Sequence, residues 1–302
     1  MEVQQQILDL LDSLVRERGM ALLFITHDLA VIRKMTDRVI VLKDGQIVDA
    51  DADLDDPQVD YTAQLVEASK PGAPAQLRTT GKPVIELKDV TWRRGNTLAL
   101  DNVNLTVHKG ERIGIVGGSG SGKTSLLRVI SGLNVPDSGS VRVDGGLQMV
   151  FQDPYSSLNP RRKVRDSIRE AGADEARAED VLSQVGLEGM GPRFPRQFSG
   201  GQRQRISIAR AAAPHPEILI ADEPVSALDV SVRAQVLELI DDLVVHDNVT
   251  LIFVSHDLSV VRQVCPTIAV LYRGKIVETG PTEEVWANPQ HEYTQSLLSA
   301  IP

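Results

Sequence analysis

A glycine-rich loop between a predicted strand and a predicted helix constrains the fold more than any other feature. Residues 117–124 read GGSGSGKT, after the predicted strand 112–116 and before a helical pattern at 125–130. Glycines let backbone N–H groups converge on phosphate oxygens at a helix N-terminus, where partial positive charge favours an anion. A Gly/Ser turn with a chance lysine is the alternative, and average residue usage gives such a match in about one chain in a hundred of this length. The sequence therefore predicts a phosphate-binding loop.

Two adjacent acids follow a second apolar run, about a hundred residues after this loop. Ile218–Ala221 has the pattern of a buried strand, and Asp222 and Glu223 come directly after it. In this setting Asp222 is predicted to hold Mg²⁺ through water, and Glu223 to polarise the attacking water. Lys123 is predicted to reach the β and γ phosphates, and the Thr124 hydroxyl to ligate Mg²⁺. The two motifs together indicate hydrolysis of a nucleoside triphosphate.

A third motif, Ser199-Gly200-Gly201-Gln202, lies between the loop and the acids. With these three motifs in this order, residues 84–302 resemble the nucleotide-binding domain of ATP-binding cassette (ABC) proteins. The resemblance implies that the serine-glycine segment closes the nucleotide site of an opposing subunit. Physically, a helix start made of small residues offers N–H groups and a hydroxyl to a γ-phosphate. A plain helix cap is the structural alternative for this segment.

The resemblance implies further site residues. Gln152 resembles the Q-loop glutamine, His256 the switch histidine that contacts the γ-phosphate, and residues 226–229 the D-loop that links two sites of a dimer. Trp92 is the candidate for stacking on adenine, because stacking needs only a π-face; its alternative role is to cover the sheet edge. The predicted catalytic residues are Glu223, His256 and Gln152. The predicted metal ligands are Thr124, Gln152 and Asp222. The predicted nucleotide-binding residues are Gly117, Gly118, Ser119, Gly120, Ser121, Gly122, Lys123, Thr124, Ser125, Trp92, Ser199, Gly200, Gly201 and Gln202.

The fold class follows from the alternation of strands and helices after residue 84. Continuous apolar runs at 113–116, 218–221 and 251–254 favour parallel strands covered on both faces. The resemblance implies an α/β fold, a P-loop NTPase core with a parallel sheet, together with an antiparallel β subdomain. It also implies a helical subdomain over residues 155–196.

An internal repeat precedes this domain. Residues 3–50 match residues 232–279 at a constant offset of 229, with 19 identities in 48 pairs, which indicates duplication. Each copy is predicted to contain a helix, a buried strand, a His-Asp pair and a hairpin, the first hairpin across Asp44-Gly45. The copies also end alike, with Tyr61-Thr62 against Tyr293-Thr294 after a shift of three residues.

The repeat predicts three segments. Residues 1–66 are the C-terminal remnant of a first cassette, 67–83 are a flexible linker rich in Pro, Gly, Ala and Thr, and 84–302 are a complete nucleotide-binding domain. The remnant is expected to bind no nucleotide, because its His27 has no phosphate loop. Its predicted strand Ala21–Thr26 lacks neighbours and is an aggregation hazard. A partner that shields the strand, a marginally folded remnant and a start upstream are open alternatives; we favour a truncated form of a fused two-cassette protein.

Composition limits the partners. A net charge of -9 and a pI near 5.2 disfavour nucleic acid, and the basic run at 161–165 is typical of a solvated loop or a partner contact. Cys265 is the only cysteine, which excludes an intrachain disulfide and a cysteine-ligated metal cluster. No stretch approaches the roughly 18 apolar residues of a membrane span. Membrane contact is therefore expected only through partners.

The resemblance implies an ATP-hydrolysing subunit of an importer, with ATP and Mg²⁺ as cofactors, at the cytoplasmic face of the cell membrane. Expected partners are permease subunits, a substrate-binding protein and a second cassette, in a homodimer or heterodimer. Residues 151–161 (FQDPYSSLNPR) and the tail 288–302 resemble ATPases of dipeptide, oligopeptide and nickel importers, which predicts peptide cargo. A non-transport ABC ATPase of translation or repair is the alternative, disfavoured by the short neutral linker and the absence of long coiled coils. An inactive truncated relic is the third possibility.

Overall fold

The computed structural model describes residues 2–26, 28–43, 45–69, 75, 81–226, 228, 230–246 and 248–299. Within these ranges the chain divides into two compact units. Unit one draws on residues 1–71, 229–235 and 296–302, and unit two on residues 72–228 and 236–295. The domain limits that the sequence predicts at 66 and 83 stay predictions, because most of 67–83 lies outside the described residues.

Unit one contains three helices and a two-stranded sheet in its first 69 residues. The elements are α1 Glu2–Arg18, α2 Leu29–Met35, β1 Val41–Lys43, β2 Gln46–Asp49 and α3 Asp60–Ser69. β1 and β2 pair antiparallel, which confirms the predicted hairpin, although Asp44 of its turn lies outside the described residues. The Asp28 side chain caps α2 by accepting hydrogen bonds from the backbone N–H groups of Ala30 and Val31.

The predicted strand Ala21–Thr26 is wrong. These residues form no regular element, and the side chains of Leu23 and Ile25 are 85% and 89% exposed. The physical reason is that a strand needs hydrogen-bonding neighbours. In the described part of unit one the only strands are β1 and β2, and they pair with each other.

Unit two contains the strands β3 Pro83–Arg94, β4 Thr97–His108, β5 Arg112–Val116, β6 Ser138–Val143, β7 Leu147–Val150, β8 Ile218–Asp222, β9 Thr250–Val254, β10 Thr267–Tyr272 and β11 Lys275–Pro281. Six of them form one sheet in the order β11-β10-β5-β9-β8-β7. Five of these strands are parallel, and β11 pairs antiparallel with β10. Every residue of β5, β8 and β9 is buried, as the apolar runs predict.

A second sheet of unit two is antiparallel, with the order β4-β3-β6. The antiparallel β subdomain that the sequence predicts is therefore confirmed. Its buried residues, among them Ile85, Leu100 and Val107, join one apolar core with Ile115 of β5 and Leu126, which follows the glycine-rich loop. This shared core fixes the loop against both sheets.

Helices account for most of the remaining described residues. They are α4 Lys123–Ile130, α5 Pro154–Ser157, α6 Val164–Glu170, α7 Glu175–Gln184, α8 Gly200–Ala212, α9 Val230–His246, α10 Leu258–Val264, α11 Thr282–Ala287 and α12 Glu292–Ser299. Helices α5, α6 and α7 pack against α8, which confirms the predicted helical region. Within the part of the chain that the structure describes, no helix combines the length and apolar composition that a membrane crossing needs.

Candidate nucleotide-binding site

The glycine-rich loop joins the end of β5 to the start of α4, as the motif requires. Gly117 has φ +154°, and a Cβ there would lie 2.2 Å from the carbonyl oxygen of Leu271. Gly122 has φ +111°, and a Cβ there would lie 2.6 Å from the carbonyl oxygen of Ala99. Any other residue would clash with neighbouring backbone at both positions. The two glycines therefore allow the loop to approach the backbone at Leu271 and Ala99 closely.

The loop presents unused donors at the start of α4. Gly122 is the N-cap of α4 and supplies no side-chain hydrogen bond, so the N–H groups of Lys123, Thr124 and Ser125 have no capping partner there. The Lys123 ammonium folds back on the loop and donates to the carbonyl oxygens of Gly117 at 2.6 Å and Gly118 at 3.1 Å. Burial lowers the pKa of Lys123, while the charges of Glu223 and Asp222 oppose that change. The arrangement suits an anion with several oxygens.

Asp222 is the last residue of β8, and Glu223 follows it at the carboxyl end of the strand. Asp222 is buried, and burial followed by the neighbouring charge of Glu223 raises its pKa to about 6. Glu223 has φ +46°, in the left-handed region that non-glycine residues rarely adopt. Its N–H donates to the carbonyl oxygen of Val254, and its own carbonyl oxygen accepts from the Ser226 hydroxyl at 3.1 Å. Strained backbone held by such bonds is typical of functional sites.

The Glu223 carboxylate lies between Gln152 and His256. Its Oε2 accepts a hydrogen bond from Gln152 Nε2 at 2.9 Å and lies 3.4 Å from His256 Nδ1. The hydrogen bond with His256 lowers the pKa of Glu223 and raises the pKa of His256. Glu223 is therefore ionised at neutral pH and able to accept a proton.

Sheet order explains why residues far apart in sequence meet here. Gln152 follows β7, Glu223 follows β8, His256 follows β9 and the glycine-rich loop follows β5. These four strands are adjacent and parallel, so their carboxyl ends meet at one edge. Ligands of open α/β sheets bind at this edge.

The serine-glycine segment forms the start of α8. Ser199 Oγ accepts the Gln202 N–H at 3.3 Å, and Gln202 Oε1 accepts the Ser199 N–H at 3.0 Å, which is a capping box. Ser199 and Gly200 are exposed. The segment is thus a helix cap within this chain and is open to a second molecule, and its role in closing another site stays a prediction.

Trp92 lies in β3 opposite Leu100 and is only partly buried, packed against the core. Adenine stacking and the alternative of covering the sheet edge both stay predictions, and β3 is the central strand of its sheet. Ala227 and Asp229 of the D-loop, and His27 of the first copy, lie outside the described residues.

One contact of the glycine-rich loop is not predicted by the motifs: the Gly118 N–H donates to the Tyr293 hydroxyl at 2.7 Å. The recurrence of Tyr-Thr at the end of both copies was the signal available in the sequence.

The donor set is compatible with Mg²⁺ bound together with a nucleotide. In the described residues no group of three or more His, Cys, Asp or Glu is placed to hold a metal ion alone. Mg²⁺ commonly uses one or two carboxylates, with phosphate oxygens and water completing its shell. Asp222 fits this requirement because it is a buried acid whose charge Lys123 and Arg128 offset only in part. The Thr124 hydroxyl is exposed in the first turn of α4, and its predicted role as a second oxygen ligand stays a prediction.

Comparison with known proteins places this geometry in a family. A family model described as ABC transporter matches residues 100–226. The chain is 40% identical to the peptidoglycan transport ATP-binding protein YejF of Agrobacterium fabrum, over 99% of this chain and 62% of the relative. It is 36% identical to the glutathione import ATP-binding protein GsiA of Escherichia coli, over 99% of this chain and 59% of that relative. The chain thus spans less than two thirds of the length of these relatives.

Solved structures give the same result. A dimeric ATP-binding cassette, MJ0796, in a post-hydrolysis state bound to ADP and Pi, is 30% identical with a TM-score of 0.59. That match covers 66% of this chain and 98% of the cassette. CbiO1 from Clostridium perfringens, part of the ABC transporter complex cbiONQ, is 25% identical with a TM-score of 0.63, over 68% of this chain and 92% of that one. Since a whole cassette is matched, and the loop, the acids and the serine-glycine segment occur in the expected order, the chain belongs to the ABC transporter family of ATP-binding proteins.

Proposed function

We propose that this chain is the ATP-binding and ATP-hydrolysing subunit of an ABC importer for di- and oligopeptides. One observation carries the proposal. The ionised Glu223 carboxylate is held between Gln152 and His256, 2.9 Å and 3.4 Å away, at the sheet edge where the phosphate loop begins. A proton acceptor beside a triphosphate site is the arrangement that hydrolysis of the terminal phosphate requires.

Binding begins at the phosphate loop in this proposal. The N–H groups at the start of α4 donate to phosphate oxygens, and Lys123 exchanges the carbonyl oxygens of Gly117 and Gly118 for the β and γ phosphates. Thr124, Asp222 and Gln152 are the residues that would hold Mg²⁺, which supplies positive charge against the phosphates. Trp92 remains the proposed stacking residue for adenine.

Hydrolysis then moves one proton to Glu223. Its carboxylate accepts the proton as the oxygen of a water molecule bonds to the γ-phosphorus, and the bond from that phosphorus to the β-γ bridging oxygen breaks. Gln152 and His256 contact one carboxylate oxygen, Oε2, and so orient the group. Ser199–Gln202 of a second cassette closes over the γ-phosphate. Release of the phosphate after hydrolysis therefore removes this contact and separates the two cassettes.

Coupling to transport is proposed through partners. The helical region 155–196 is the proposed contact with permease subunits on the cytoplasmic face of the membrane, and a substrate-binding protein delivers the cargo. Peptide cargo is supported by relatives named for glutathione import and peptidoglycan transport, two molecules that contain peptides. Stimulation of ATP hydrolysis by peptide, after reconstitution with permeases encoded beside this chain, separates transport from a role in translation or repair.

The direct test is the Glu223→Gln variant, which keeps the shape of the side chain and removes its basicity. We expect turnover of MgATP to fall by about 10²–10⁴-fold, because general-base catalysis contributes that much. ATP affinity should remain close to that of the unaltered protein. Phosphate release and equilibrium ATP binding by the full chain measure the two quantities.

Glu217→Gln is the matched control. Glu217 precedes the same strand β8 and pairs with Lys109 at 3.8 Å at the surface. This variant should hydrolyse ATP at the unaltered rate. Unchanged turnover in the Glu223→Gln variant would contradict the assigned base, and absence of Mg²⁺-dependent nucleotide binding by the unaltered chain would remove the proposed function itself.

A further inference from the structure

We propose that Tyr293 is a positioning residue that orders the phosphate loop before nucleotide binds. The inference rests on the proposed function, since it assigns a role in the same site. It starts from a contact that no motif predicts: the Tyr293 hydroxyl accepts a hydrogen bond from the Gly118 N–H at 2.7 Å. A Cβ at Gly118 would lie 3.0 Å from this hydroxyl, so glycine at 118 permits the short approach.

Contacts with strands β10 and β11 hold the Tyr293 ring and the segment before it in place. The ring stacks on Tyr272, the last residue of β10, with centroids 4.0 Å apart and an interplanar angle of 24°. The Tyr293 N–H donates to His291 Nδ1 at 3.1 Å. In β11, the Glu278 carboxylate accepts the N–H groups of Gln290 at 2.8 Å and His291 at 3.1 Å. The β10–β11 hairpin, which borders the loop strand β5, therefore fixes the phenol against the loop.

The first copy of the repeat places its tail tyrosine in a similar way, and residues 1–66 contain no glycine-rich loop. Lys43, the counterpart of Tyr272, lies over the Tyr61 ring with its ammonium 4.4 Å from the centroid. Asp49, the counterpart of Glu278, accepts a hydrogen bond from the Thr62 hydroxyl at 2.8 Å. The hairpin thus places a tail tyrosine in both copies. The bond to Gly118 is an additional use of that tyrosine in the second copy.

The expected consequence is a loop that keeps its shape without ligand. When a loop must become ordered on binding, the conformational entropy that it loses weakens the affinity for the ligand. The Tyr293 hydroxyl holds the Gly117–Gly118 corner from outside the loop and leaves the N–H groups at the start of α4 for phosphate. Because the contact is with the loop and not with the γ-phosphate region, it should strengthen the binding of ATP and of ADP by the same factor.

The test is Tyr293→Phe, which retains the stacked ring and deletes the hydroxyl. We expect the Kd of MgADP to rise about fivefold, the equivalent of one hydrogen bond of about 1 kcal/mol. The Kd of MgATP, measured in a Glu223→Gln background to prevent hydrolysis, should rise by the same factor. Turnover at saturating ATP should stay within about twofold. Amide hydrogen exchange of the peptide 117–122 without nucleotide should become faster.

Tyr61→Phe is the matched control, because it makes the same deletion at the counterpart in the first copy. It should leave both dissociation constants and the exchange of 117–122 unchanged. The inference is overturned if Tyr293→Phe behaves like the unaltered chain, if only turnover changes, or if Tyr61→Phe gives equal effects. Failure of the unaltered chain to bind MgADP would instead count against the proposed function, so the two failures are distinguishable.

Discussion

Two copies of one apolar segment of the repeat, similar in sequence, have different structures in this molecule. Residues 250–254 form β9, in which Leu251, Ile252, Phe253 and Val254 are fully buried. Their counterparts at 21–25, Ala-Leu-Leu-Phe-Ile, form no strand, and Leu23 and Ile25 are almost fully exposed. Both segments are preceded by a helix and followed by a short helix that an aspartate caps, Asp28 in the first copy and Asp257 in the second.

The difference lies in the neighbours. β9 lies between β5 and β8 and hydrogen-bonds to both. In the described part of unit one no strand pairs with 21–25, although the hairpin and the helices keep their local structure. Helices and hairpins satisfy their backbone within the element, whereas a parallel strand depends on partners distant in sequence. The comparison separates what a segment encodes locally from what its surroundings supply.

The largest effect that the comparison predicts is on stability. Ile252→Ala removes a fully buried side chain from the central sheet and should lower the free energy of unfolding by about 2–5 kcal/mol. Leu23→Ala, at the counterpart position, should change it by no more than about 0.5 kcal/mol, because that side chain is 85% exposed. Urea unfolding of the full chain, followed by circular dichroism, measures both. Equal losses would mean that residues 21–25 are packed in solution, and the contrast between the copies would disappear.

Much of the fold could be predicted, because local pattern and tertiary setting agree over most of unit two. The apolar runs at 113–116, 218–221 and 251–254 are buried parallel strands, and the glycine-rich loop joins β5 to α4 as expected. The prediction fails at Ala21–Thr26, where an apolar run of the same kind pairs with no strand among the described residues. Periodicity reports a side chain's preference for burial and contains no information on whether a covering layer exists.

The second effect is on catalysis and uses the paired histidines. His256→Ala should reduce turnover by about 10²-fold, because His256 lies 3.4 Å from the Glu223 carboxylate beside the phosphate loop. His27→Ala should have no effect on this chain, since residues 1–83 contain no glycine-rich loop. Steady-state ATP hydrolysis by the two variants measures the difference. A loss of activity in His27→Ala would assign a catalytic role to the first copy, against the prediction that it binds no nucleotide.

The site was less predictable in its geometry than in its residue list. The motifs bring Gln152, Glu223 and His256 together because each follows a parallel strand, and the structure places them within hydrogen-bonding or ion-pairing distance. The left-handed backbone of Glu223 and the contact of Tyr293 with Gly118 had no counterpart in the motifs. Both depend on bonds between segments that are distant in sequence, which spacing alone does not encode.

The smallest effect concerns a surface ion pair that the counterpart arginine makes in each copy, with a carboxylate at a different position of the repeat. Arg33 in α2 pairs with Asp55, and Arg262 in α10, its counterpart, makes two hydrogen bonds to the Glu283 carboxylate at 2.6 and 2.7 Å. Such pairs depend on one short helix and a nearby loop or helix start, so they survive whether or not the strand before the helix is buried. Asp55→Asn and Glu283→Gln should therefore each destabilise the chain by less than about 1 kcal/mol.

The dependence on salt and pH shows whether the destabilisation by Glu283→Gln comes from the ion pair or from packing. The Arg262 hydrogen bonds lower the pKa of Glu283 below the value of an unperturbed glutamate. The stabilisation should therefore be fully present above that value and be lost as the pH falls through the folded-state pKa. Unfolding of the unaltered chain and of Glu283→Gln should consequently converge at low pH, and at neutral pH in concentrated salt, where exposed charges are screened. A difference that persists under both conditions would show that Glu283 contributes through packing, and the ion pair would then not be the feature that the two copies share.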